Sequence, residues 1–524
     1  MKGRHFVLIC IVIITLLYLS RFVMFAHTQN VGVEHDSGWY LGVSRNLAEK
    51  GLYASYTNTI VDSEQPGAHP SIHGRFSVQD KEGYSYFPAG VTVGPGFIIP
   101  QAIVYYFFGV GDWQNRTIAL LSFALLVPLL FWTVFRLGGI FALLLFQLWT
   151  WAFPQLFLNF AFEAYSEHFA LLYLLCGYIL FVKAKKNRWH LFSGILISLS
   201  VLTKQIYLIG FFPVVIFLLW EYLHTKLERR SLLIHSLYFV LGFATPILLF
   251  ELYRFFVLFS QFGIQGYMAI NKDMYLTMKC CGSGVVQFLE NPFPMEFMST
   301  KLNVWHYVGV HPAVILLGLP FAIARSFQRK GGPLFFLLTV FFILYFGWFV
   351  ILSSTGFFRH AWPSIIIGFM LGSSLLTSIK HGIRILLVVL ISIFFFISPY
   401  SVRIFYFSND TINAVYTDKN KSTTPLFINF FSLQDQKNLQ SYLSRRYLNK
   451  RICYDERLLV AEMSVYLDRV FFPLQRCGSG ELLIIGPYQK QYLIRHATYL
   501  KELTQNKCLE KIYENESYTL CILK

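Results

Sequence analysis

An aspartate opens the first polar stretch of this sequence, "EHDSGWYLGVSRNLAEKGLY", which runs from Glu34 to Tyr53 and follows an apolar segment. Asp36 has two interpretations. Aspartate is a favoured N-cap, because its carboxylate accepts hydrogen bonds from the free N–H groups of the first helical turn. It is also a suitable general base toward a hydroxyl group. The sequence leaves both open, and Tyr40 is a candidate substrate contact in the same stretch.

Two more carboxylates stand in "NFAFEAYSEHFALLYLLCGYILF". Glu163 and Glu167 are the only acidic residues between Asp112 and Glu221. Their i,i+4 spacing places both on one face of a helix. A carboxylate at membrane depth is costly, so it indicates a functional residue with a partner. The alternative is that both glutamates are solvated in a wet loop.

The candidate cations are Lys204 in "LSVLTKQIYLIGFF" and Arg359 in "GFFRHAWPS", where His360 follows. A lysine is a point charge for a phosphate, and an arginine offers a planar fork that matches phosphate oxygens. The alternatives are a lysine that extends to the interface and an arginine that anchors a helix end. An acid that accepts a proton beside cations that hold a phosphate suits group transfer from a phosphorylated lipid.

The elements that position these residues are transmembrane helices. Of the 524 residues, 55% are hydrophobic and only 14% are charged, with mean hydropathy +0.51. Soluble domains have roughly 25% charged residues, so the composition indicates an integral membrane protein. The net charge of +16 is explained by basic loops on one membrane face, without nucleic acid. The expected class is a polytopic α-helical membrane protein.

About eleven apolar runs are candidates for crossings. Their limits are 6–26, 117–136, 139–159, 168–183, 190–203, 205–220, 231–256, 305–325, 333–353, 361–379 and 383–399. With the N-terminus inside, every strongly basic short loop also lies inside, as the positive-inside rule requires. These loops are at Arg136, Lys183–Arg188, His224–Arg230, Arg325–Gly332 and Lys380–Arg384. The first run lacks a clear cleavage site and is interpreted as a retained anchor.

This threading leaves large segments outside. A loop over 27–116 contains the apolar run 94–111, which is short, holds Pro95 and Pro100, and is interpreted as re-entrant or interfacial. The helix that begins near Asp36 is expected to lie on the membrane surface with its aromatic residues at headgroup depth. Further outer segments are 160–167, about 257–304 and the turn at 353–363.

The tail has a different character and predicts a second domain, so the chain divides into a transmembrane domain over 1–400 and a soluble extracytoplasmic α/β domain over 401–524. Strand-like runs over 481–488 and 518–524 alternate with helical pieces such as "DQKNLQSYLSRRYL". Its cysteines allow two disulfides in three pairings, or four free thiols; they are Cys453, Cys477, Cys508 and Cys521.

Several enzyme classes lack their sequence signatures. No GxxxxGK[ST] loop, zinc-type Cys/His spacing or GxSxG is present, so nucleotide hydrolysis and serine hydrolysis have no support. The Gly-rich segment "CCGSG" (Cys280–Gly284) follows no predicted strand and is discounted as a phosphate loop.

The chain resembles the GT-C type glycosyltransferases, which use polyprenyl-phosphate sugars. Within them it is most similar to the bacterial relatives of protein O-mannosyltransferases and to the aminoarabinose–lipid A transferases. The resemblance covers about residues 6–220 and the "RHAWP" turn. It rests on "HDSGWYLGVSRNLAEKGLY", "VGPGFIIPQAIVYYFFGVGDWQNR", "AYSEHFALLYLLCGYILF" and "HLFSGILISLSVLTKQIYLIGFFP".

The resemblance implies an inverting glycosyl transfer on the outer face of a membrane. Asp36 would be the general base or would position the acceptor, assisted by Glu167, the better match, or Glu163. Lys204 and Arg359, with His360 and Tyr40 beside them, would bind the donor.

The implied partners are a polyprenyl-phosphate-linked sugar, a lipid, glycan or protein acceptor, and membrane lipids. No nucleic acid and no cofactor are expected, while a requirement for a divalent cation stays open. The implied location is the bacterial inner membrane, with the active site and the C-terminal domain on the periplasmic side.

Two positions depart from the family pattern. Many members have two adjacent acids in the first loop, but here Ser37 follows Asp36. Many also have a lysine before the proline-rich segment, and "AGVTVGPG" has none. These departures keep two alternatives open, a transporter or flippase of lipid-linked sugars and a non-catalytic glycosyltransferase homologue.

Overall fold

The structure is a computed structural model of the full chain. It describes residues 2–28, 31–57, 78–87, 94–224, 229–277, 295–305, 310, 312–328, 331–353, 358–375, 382–383, 385, 389–393, 432–455, 461–487 and 503–524. Most of the predicted span 383–399, the boundary proposed at residue 400 and the "CCGSG" segment lie outside these residues.

Helices dominate the described part of the chain. They are α1 (Lys2–Thr28), α2 (His35–Lys50), α3 (Pro95–Phe108), α4 (Thr117–Ala152), α5 (Gln155–Phe162), α6 (Glu167–Lys183), α7 (Asn187–Thr203), α8 (Phe212–His224), α9 (Arg229–Thr277), α10 (Met295–Asn303), α11 (Pro312–Phe327), α12 (Gly332–Gly347), α13 (Phe358–Leu375) and α14 (Leu433–Arg446). Short 3-10 turns lie at Gln114–Arg116, Gln205–Phe211, Ala461–Val465 and Leu474–Arg476, and a π turn lies at Trp348–Leu352.

Five helical segments among the described residues are long and apolar enough to cross a membrane. They are Gly3–Met24, Gln114–Ala152, Gln205–His224, Arg230–Lys272 and Gly332–Leu352. The predicted runs 168–183, 190–203, 305–325 and 361–379 coincide with the shorter helices α6, α7, α11 and α13. The polytopic helical class is confirmed, and the number of eleven crossings stays a prediction.

The longest helices are broken at glycines. In α4, Gly139 has φ 69° and ψ −159°, a conformation that only glycine adopts readily. This break falls between the predicted spans 117–136 and 139–159. In α9, Gly263 has φ 67° and ψ −174°, a kink that joins two helices, the second of which ends at Thr277. Residues 257–277 are therefore helical, and their position on the outer side stays a prediction.

The segment between α1 and α4 contains α2, α3 and a small antiparallel sheet. Strands β1 (Ala54–Ser55), β2 (Val78–Gln79) and β3 (Ser85–Tyr86) have the order β1-β3-β2. Helix α3 has 14 residues, which gives about 21 Å at 1.5 Å per residue, short of a hydrocarbon core about 30 Å thick. This length supports the interpretation of residues 94–111 as interfacial or re-entrant.

A five-stranded sheet forms the C-terminal part. Strands β4 (Ile452–Tyr454), β5 (Phe471–Pro473), β6 (Leu482–Ile485), β7 (Cys508–Glu514) and β8 (Thr519–Leu523) have the order β5-β4-β6-β8-β7. Strand β4 pairs in parallel with β5 and β6, and β8 pairs antiparallel to β6 and β7. With α14 beside it, the sheet confirms a small α/β region, and β6 and β8 fall on the two predicted strand-like runs.

The cysteines of this sheet form two disulfides. Cys453 pairs with Cys477, and Cys508 pairs with Cys521. One of the three pairings left open by the sequence is thus selected, and the alternative of four free thiols is wrong. The first bridge connects β4 to the turn after β5, and the second joins the neighbouring strands β7 and β8.

Aromatic packing fixes the helix ends near the polar residues of interest. Trp149 of α4 stacks on Phe369 of α13 with ring centroids 3.7 Å apart. Trp362, near the start of α13, donates an indole N–H bond to the carbonyl of Leu156 at 2.6 Å. These buried contacts hold the start of α13 beside the start of α5. Arg359 is thereby placed near the segment that carries Glu163.

Candidate functional site

The N-terminus of α2 is capped by Glu34. The carboxylate oxygen Oε2 of Glu34 accepts hydrogen bonds from the backbone N–H groups of Asp36 at 2.8 Å and Ser37 at 3.3 Å. Gly51, at φ 70°, ends the helix. The interpretation of Asp36 as the N-cap is therefore wrong. The cap lies two residues earlier, and the Asp36 side chain is available for another contact.

That contact is an ion pair with Arg359. The guanidinium Nη1 of Arg359 contacts Oδ2 of Asp36, and the ring of Tyr165 lies 5.3 Å from the guanidinium carbon. The Asp36 side chain is nearly buried and that of Arg359 is about a quarter exposed. Residues 323 positions apart in sequence thus form one charge pair at the first turns of two helices.

Glu163 lies next to the cap. Its Oε2 accepts a hydrogen bond from the backbone N–H of Glu34 at 3.3 Å. Burial, followed by the negative charges of Asp36 and Glu163, raises the pKa of Glu34 to about 8. Burial also raises the pKa of Glu163 to about 7, although the nearby Arg116 opposes the shift. At neutral pH this pair of carboxyl groups retains about one proton or more.

A second ion pair joins Glu167 and Lys204. Nζ of Lys204 contacts Oε1 of Glu167, and both side chains are buried. The hydroxyl of Tyr207 donates to the carbonyl of Glu167 at 2.7 Å. Glu167 begins α6 and Lys204 follows α7, so two neighbouring helix ends supply the pair. Burial lowers the pKa of Lys204, and the charge of Glu167 acts against that shift.

The Gly-Pro-Gly sequence before α3 permits the chain to approach this pair. A Cβ on Gly94 would lie 2.1 Å from the carbonyl oxygen of Leu202, and one on Gly96 would lie 2.3 Å from Oγ1 of Thr203. The N–H of Gly94 donates to the carbonyl of Thr203 at 3.0 Å. The small residues therefore let the start of α3 pack directly against the end of α7, next to Lys204.

The structure brings all the candidate site residues of the sequence into one cluster. The charges of Asp36 and Arg359 act on Lys204, and those of Lys204, Arg359 and Asp36 act on His360. Burial, then Lys204 and Arg359, lower the pKa of His360 well below its ordinary value. His360 is consequently a neutral imidazole, suited to hydrogen bonding and unsuited to supplying positive charge.

Tyr40 belongs to the same cluster but not to a membrane surface. It is 3% exposed, and Trp39 beside it is 1% exposed and donates to Oγ of Ser55 at 2.9 Å. The prediction that α2 presents its aromatic residues at headgroup depth is wrong. The turn Ala461–Val465 packs on the side of α2 that carries Gly38 and Gly42, and α3 and β1 also contact the helix. These neighbours bury residues that the local pattern assigned to the membrane surface.

Several residues of the cluster were not singled out from the sequence. Glu34, Arg116 and Tyr165 were missed, as were His35 and its partner Glu462. Glu34 had a detectable signal, since an acid directly before a predicted helix start is a cap candidate. Arg116, whose Nη2 donates to the carbonyl of Val31 at 2.5 Å, and Glu462 had none, because their contacts span 85 and 427 positions.

The carboxylates of the cluster are engaged by protein groups. Asp36 contacts Arg359, Glu167 contacts Lys204, and Glu34 caps α2. Within the described ranges, the one set of three potential metal ligands that converge within 4.8 Å is Cys453, Cys477 and Glu481. Its two sulfurs form a disulfide, so they are not thiolate ligands.

Comparison with known proteins shows the fold. No family model matches the sequence, and no curated protein matches it. ArnT from Cupriavidus metallidurans bound to undecaprenyl phosphate has a TM-score of 0.58 at 11% identity, covering 99% of this chain and 98% of that one. The apo structure of the same protein has a TM-score of 0.53 at 12% identity, covering 96% and 97%.

A third similar structure is the archaeal oligosaccharyltransferase AglB from Archaeoglobus fulgidus, in complex with an inhibitory peptide and a dolichol-phosphate. Its TM-score is 0.51 at 10% identity, covering 96% of this chain and 68% of that one. The chain therefore shares the fold of ArnT and of AglB, as the sequence resemblance led us to expect. This likeness extends over almost the whole chain, beyond the stretches on which the sequence resemblance rested.

Proposed function

We propose that this protein is a membrane glycosyltransferase that moves a sugar from a polyprenyl-phosphate donor to a hydroxyl-bearing acceptor of the cell envelope, with inversion at the anomeric carbon. One observation carries the proposal. Four charged residues from four separate segments, Asp36, Glu167, Lys204 and Arg359, form two acid–cation pairs in one cluster of a GT-C fold. The likeness to structures that hold undecaprenyl phosphate and dolichol-phosphate supports the donor class.

The two cations would bind the donor phosphate. A phosphate brings negative charge and several acceptor oxygens, and it competes with carboxylates for a guanidinium and an ammonium. When it binds Arg359 and Lys204, their hold on Asp36 and Glu167 weakens. Fixed cations also stabilise the charge that develops on the leaving phosphate, without reorganisation during the reaction. Donor binding would thus release the carboxylate that the reaction needs.

The transfer itself would be a single displacement. The acceptor oxygen attacks the anomeric carbon on the face opposite the phosphate, and a new C–O bond forms as the bond from carbon to phosphate oxygen breaks. The bonding electron pair leaves with the polyprenyl phosphate. Asp36 takes the proton of the acceptor hydroxyl, a role that typically contributes about 10²–10⁴-fold to the rate. Glu163 and Glu34, which together retain about one proton or more at neutral pH, would add at most about one negative charge near Asp36.

The test compares Asp36→Asn, Arg359→Gln and the double variant in a transfer assay with purified protein and undecaprenyl-phosphate sugars. We expect Asp36→Asn to lower kcat by at least about 10²-fold. It also leaves Arg359 without its counter-charge, so its melting temperature should fall. The double variant removes both charges and should recover melting temperature but not activity.

Recovery of activity in the double variant would contradict a catalytic role, because Asp36 would then serve only to neutralise Arg359. Movement of lipid-linked sugar between leaflets without transfer would favour the flippase alternative. Absence of both, with intact phosphate-lipid binding, would favour the non-catalytic alternative. Parallel assays with EDTA and with added Mg²⁺ or Mn²⁺ measure whether a divalent cation is required.

A further inference from the structure

We propose that Glu462, in the C-terminal part of the chain, is a positioning residue for Asp36. This inference rests on the proposed function, in which Asp36 is the base. Oε2 of Glu462 lies 3.3 Å from Nδ1 of His35, the residue directly before Asp36. Glu462 is 1% exposed and His35 is 8% exposed. A buried pair therefore ties the first turn of α2 to a segment more than 400 positions away.

A second hydrogen bond orients Glu462. The hydroxyl of Tyr518, directly before β8, donates to the other carboxylate oxygen of Glu462 at 3.1 Å. Burial acts to lower the pKa of His35, but the hydrogen bond and the charge of Glu462 outweigh it and raise that pKa. The imidazole is thereby favoured in its charged form, which strengthens its bond to the carboxylate.

Small residues bring the two backbones into contact along α2. A Cβ on Gly38 would lie 2.2 Å from Cα of Glu462, and one on Gly42 would lie 2.3 Å from Oγ of Ser464. Oγ of Ser464 also donates to the carbonyl of Gly38 at 3.0 Å. Because backbone touches backbone, a displacement of the Ala461–Val465 turn is passed to α2 without flexible side chains to absorb it.

The same surface continues to the far end of α2. Nη1 of Arg45 donates to the carbonyl of Val465 at 3.0 Å. Lys50 pairs with Asp468 at 2.5 Å, and the hydroxyl of Tyr56 donates to Asp468 at 2.9 Å. Lys50 follows Asp36 by 14 positions, which is about 21 Å along the helix. A substitution at the Lys50 end of α2 is therefore a suitable control, because it disturbs the same contact surface far from Asp36.

The covering segment is rigidly supported. It leads into β5, where the N–H of Phe471 donates to the carbonyl of Tyr56 at 2.8 Å, and the turn after β5 is tied to β4 by the Cys453–Cys477 disulfide. A misplacement of about 1 Å at a reacting group can cost about 10²-fold in rate. A change at Glu462 can therefore shift the position of Asp36 and lower the rate, although Glu462 does not contact the substrate.

The experiment compares Glu462→Gln with two matched controls in the full-length protein. Asp468→Asn breaks the far end of the same contact surface. Lys437→Met breaks the Lys437–Asp112 pair at 2.5 Å, which joins the C-terminal part to the outer loop without involving α2. We expect Glu462→Gln to lower kcat about 10–100-fold with little change in donor KM, and both controls to stay within about 2-fold of wild type.

Hydrogen exchange is a second measurement, and it does not depend on enzymatic activity. Hydrogen exchange should accelerate in Glu462→Gln over residues 34–43 and in Asp468→Asn over the end of α2 only. If Glu462→Gln does not fold, Tyr518→Phe removes only the bond that orients Glu462 and should show a smaller change in the same direction.

Wild-type kcat in Glu462→Gln, an equal loss in Asp468→Asn, or unchanged exchange over 34–43 would overturn the proposal. If the wild type transfers no sugar, the proposed function fails, and the exchange pattern still decides whether Glu462 holds the first turn of α2.

Discussion

Two neighbouring acids divide two tasks at the start of α2. Glu34 accepts the hydrogen bonds of the first helical turn, and Asp36 pairs with Arg359. A single aspartate that capped the helix would have its carboxylate occupied by backbone N–H groups. Because Glu34 caps the helix, the Asp36 carboxylate is paired with Arg359, a cation that can also bind a phosphate. Glu34 also supplies a second acid near Asp36, where the sequence showed Ser37 in the place of an adjacent acid.

The protonation of Glu34 and Glu163 predicts how stability varies with pH. Both pKa values are raised, from 4.5 to about 8 and about 7, so the folded protein binds more protons than the unfolded chain between these values. Stability therefore falls as pH rises from about 4.5 through about 8. Glu163→Gln mimics the neutral form and should flatten this fall, by about 3 kcal/mol at most.

Thermal unfolding of detergent-solubilised wild type and Glu163→Gln between pH 5 and pH 9 measures this dependence of stability on pH. Parallel curves for the two proteins would contradict the assignment. Asp468→Asn is a suitable control, since the pKa of Asp468 is lowered by Lys50 and Tyr56 and its contribution to stability is lost only in acid.

At the scale of elements, α2 is fixed by helices on one side and by the C-terminal turn on the other. Its two glycines, Gly38 and Gly42, are four residues apart and face the Ala461–Val465 turn. This spacing puts both on one side of the helix. The composition of α2 is thus explained by a close backbone approach, and its apolar residues are explained by packing within the protein.

Gly38→Ala tests this approach. The added methyl group would meet the backbone of Glu462 at 2.2 Å, so the turn must move, and overpacking of this kind typically costs about 1–3 kcal/mol. We expect a lower melting temperature and reduced activity. Gly318→Ala is the matched control, because a Cβ there meets nothing within 4 Å and alanine favours a helix. Equal melting temperatures for the two variants would refute the close approach.

At the scale of the whole molecule, basic residues and the acid–cation cluster lie at opposite ends of α6 and α7. Lys183 at the end of α6 lies 4.4 Å from the ring of Trp132, and Arg136 lies 5.9 Å from the same ring. Two basic loops predicted to share the inner face therefore meet. Glu167 and Lys204 occupy the other ends of α6 and α7. The molecule thus has one basic end and one end that carries the acid–cation cluster.

Single cysteines test the orientation of these ends. Asn449 and Lys185 are both exposed, near the C-terminal sheet and in the basic loop respectively. A membrane-impermeant maleimide should label Asn449→Cys while the membrane that holds the protein is intact and Lys185→Cys only after permeabilisation, with wild type as the background. The reverse pattern would place the cluster on the cytoplasmic side.

The sequence alone determined the membrane class, most helix positions and the identity of the four charged residues in the two acid–cation pairs. These features follow from local properties. A long run of apolar residues indicates a segment in lipid, and basic loops indicate which segments share one face of the membrane. Charged residues such as Glu167 and Lys204 are rare in an apolar chain and therefore easy to identify.

Only the tertiary structure decided which charges pair, which acid caps α2 and what covers it. Asp36 and Arg359, and His35 and Glu462, meet across more than 300 residues, and no local pattern records such contacts. Their energies depend on distance and burial in the folded state. The helix around Asp36 was therefore predictable from its own residues, whereas its burial and the partner of its carboxylate required the fold.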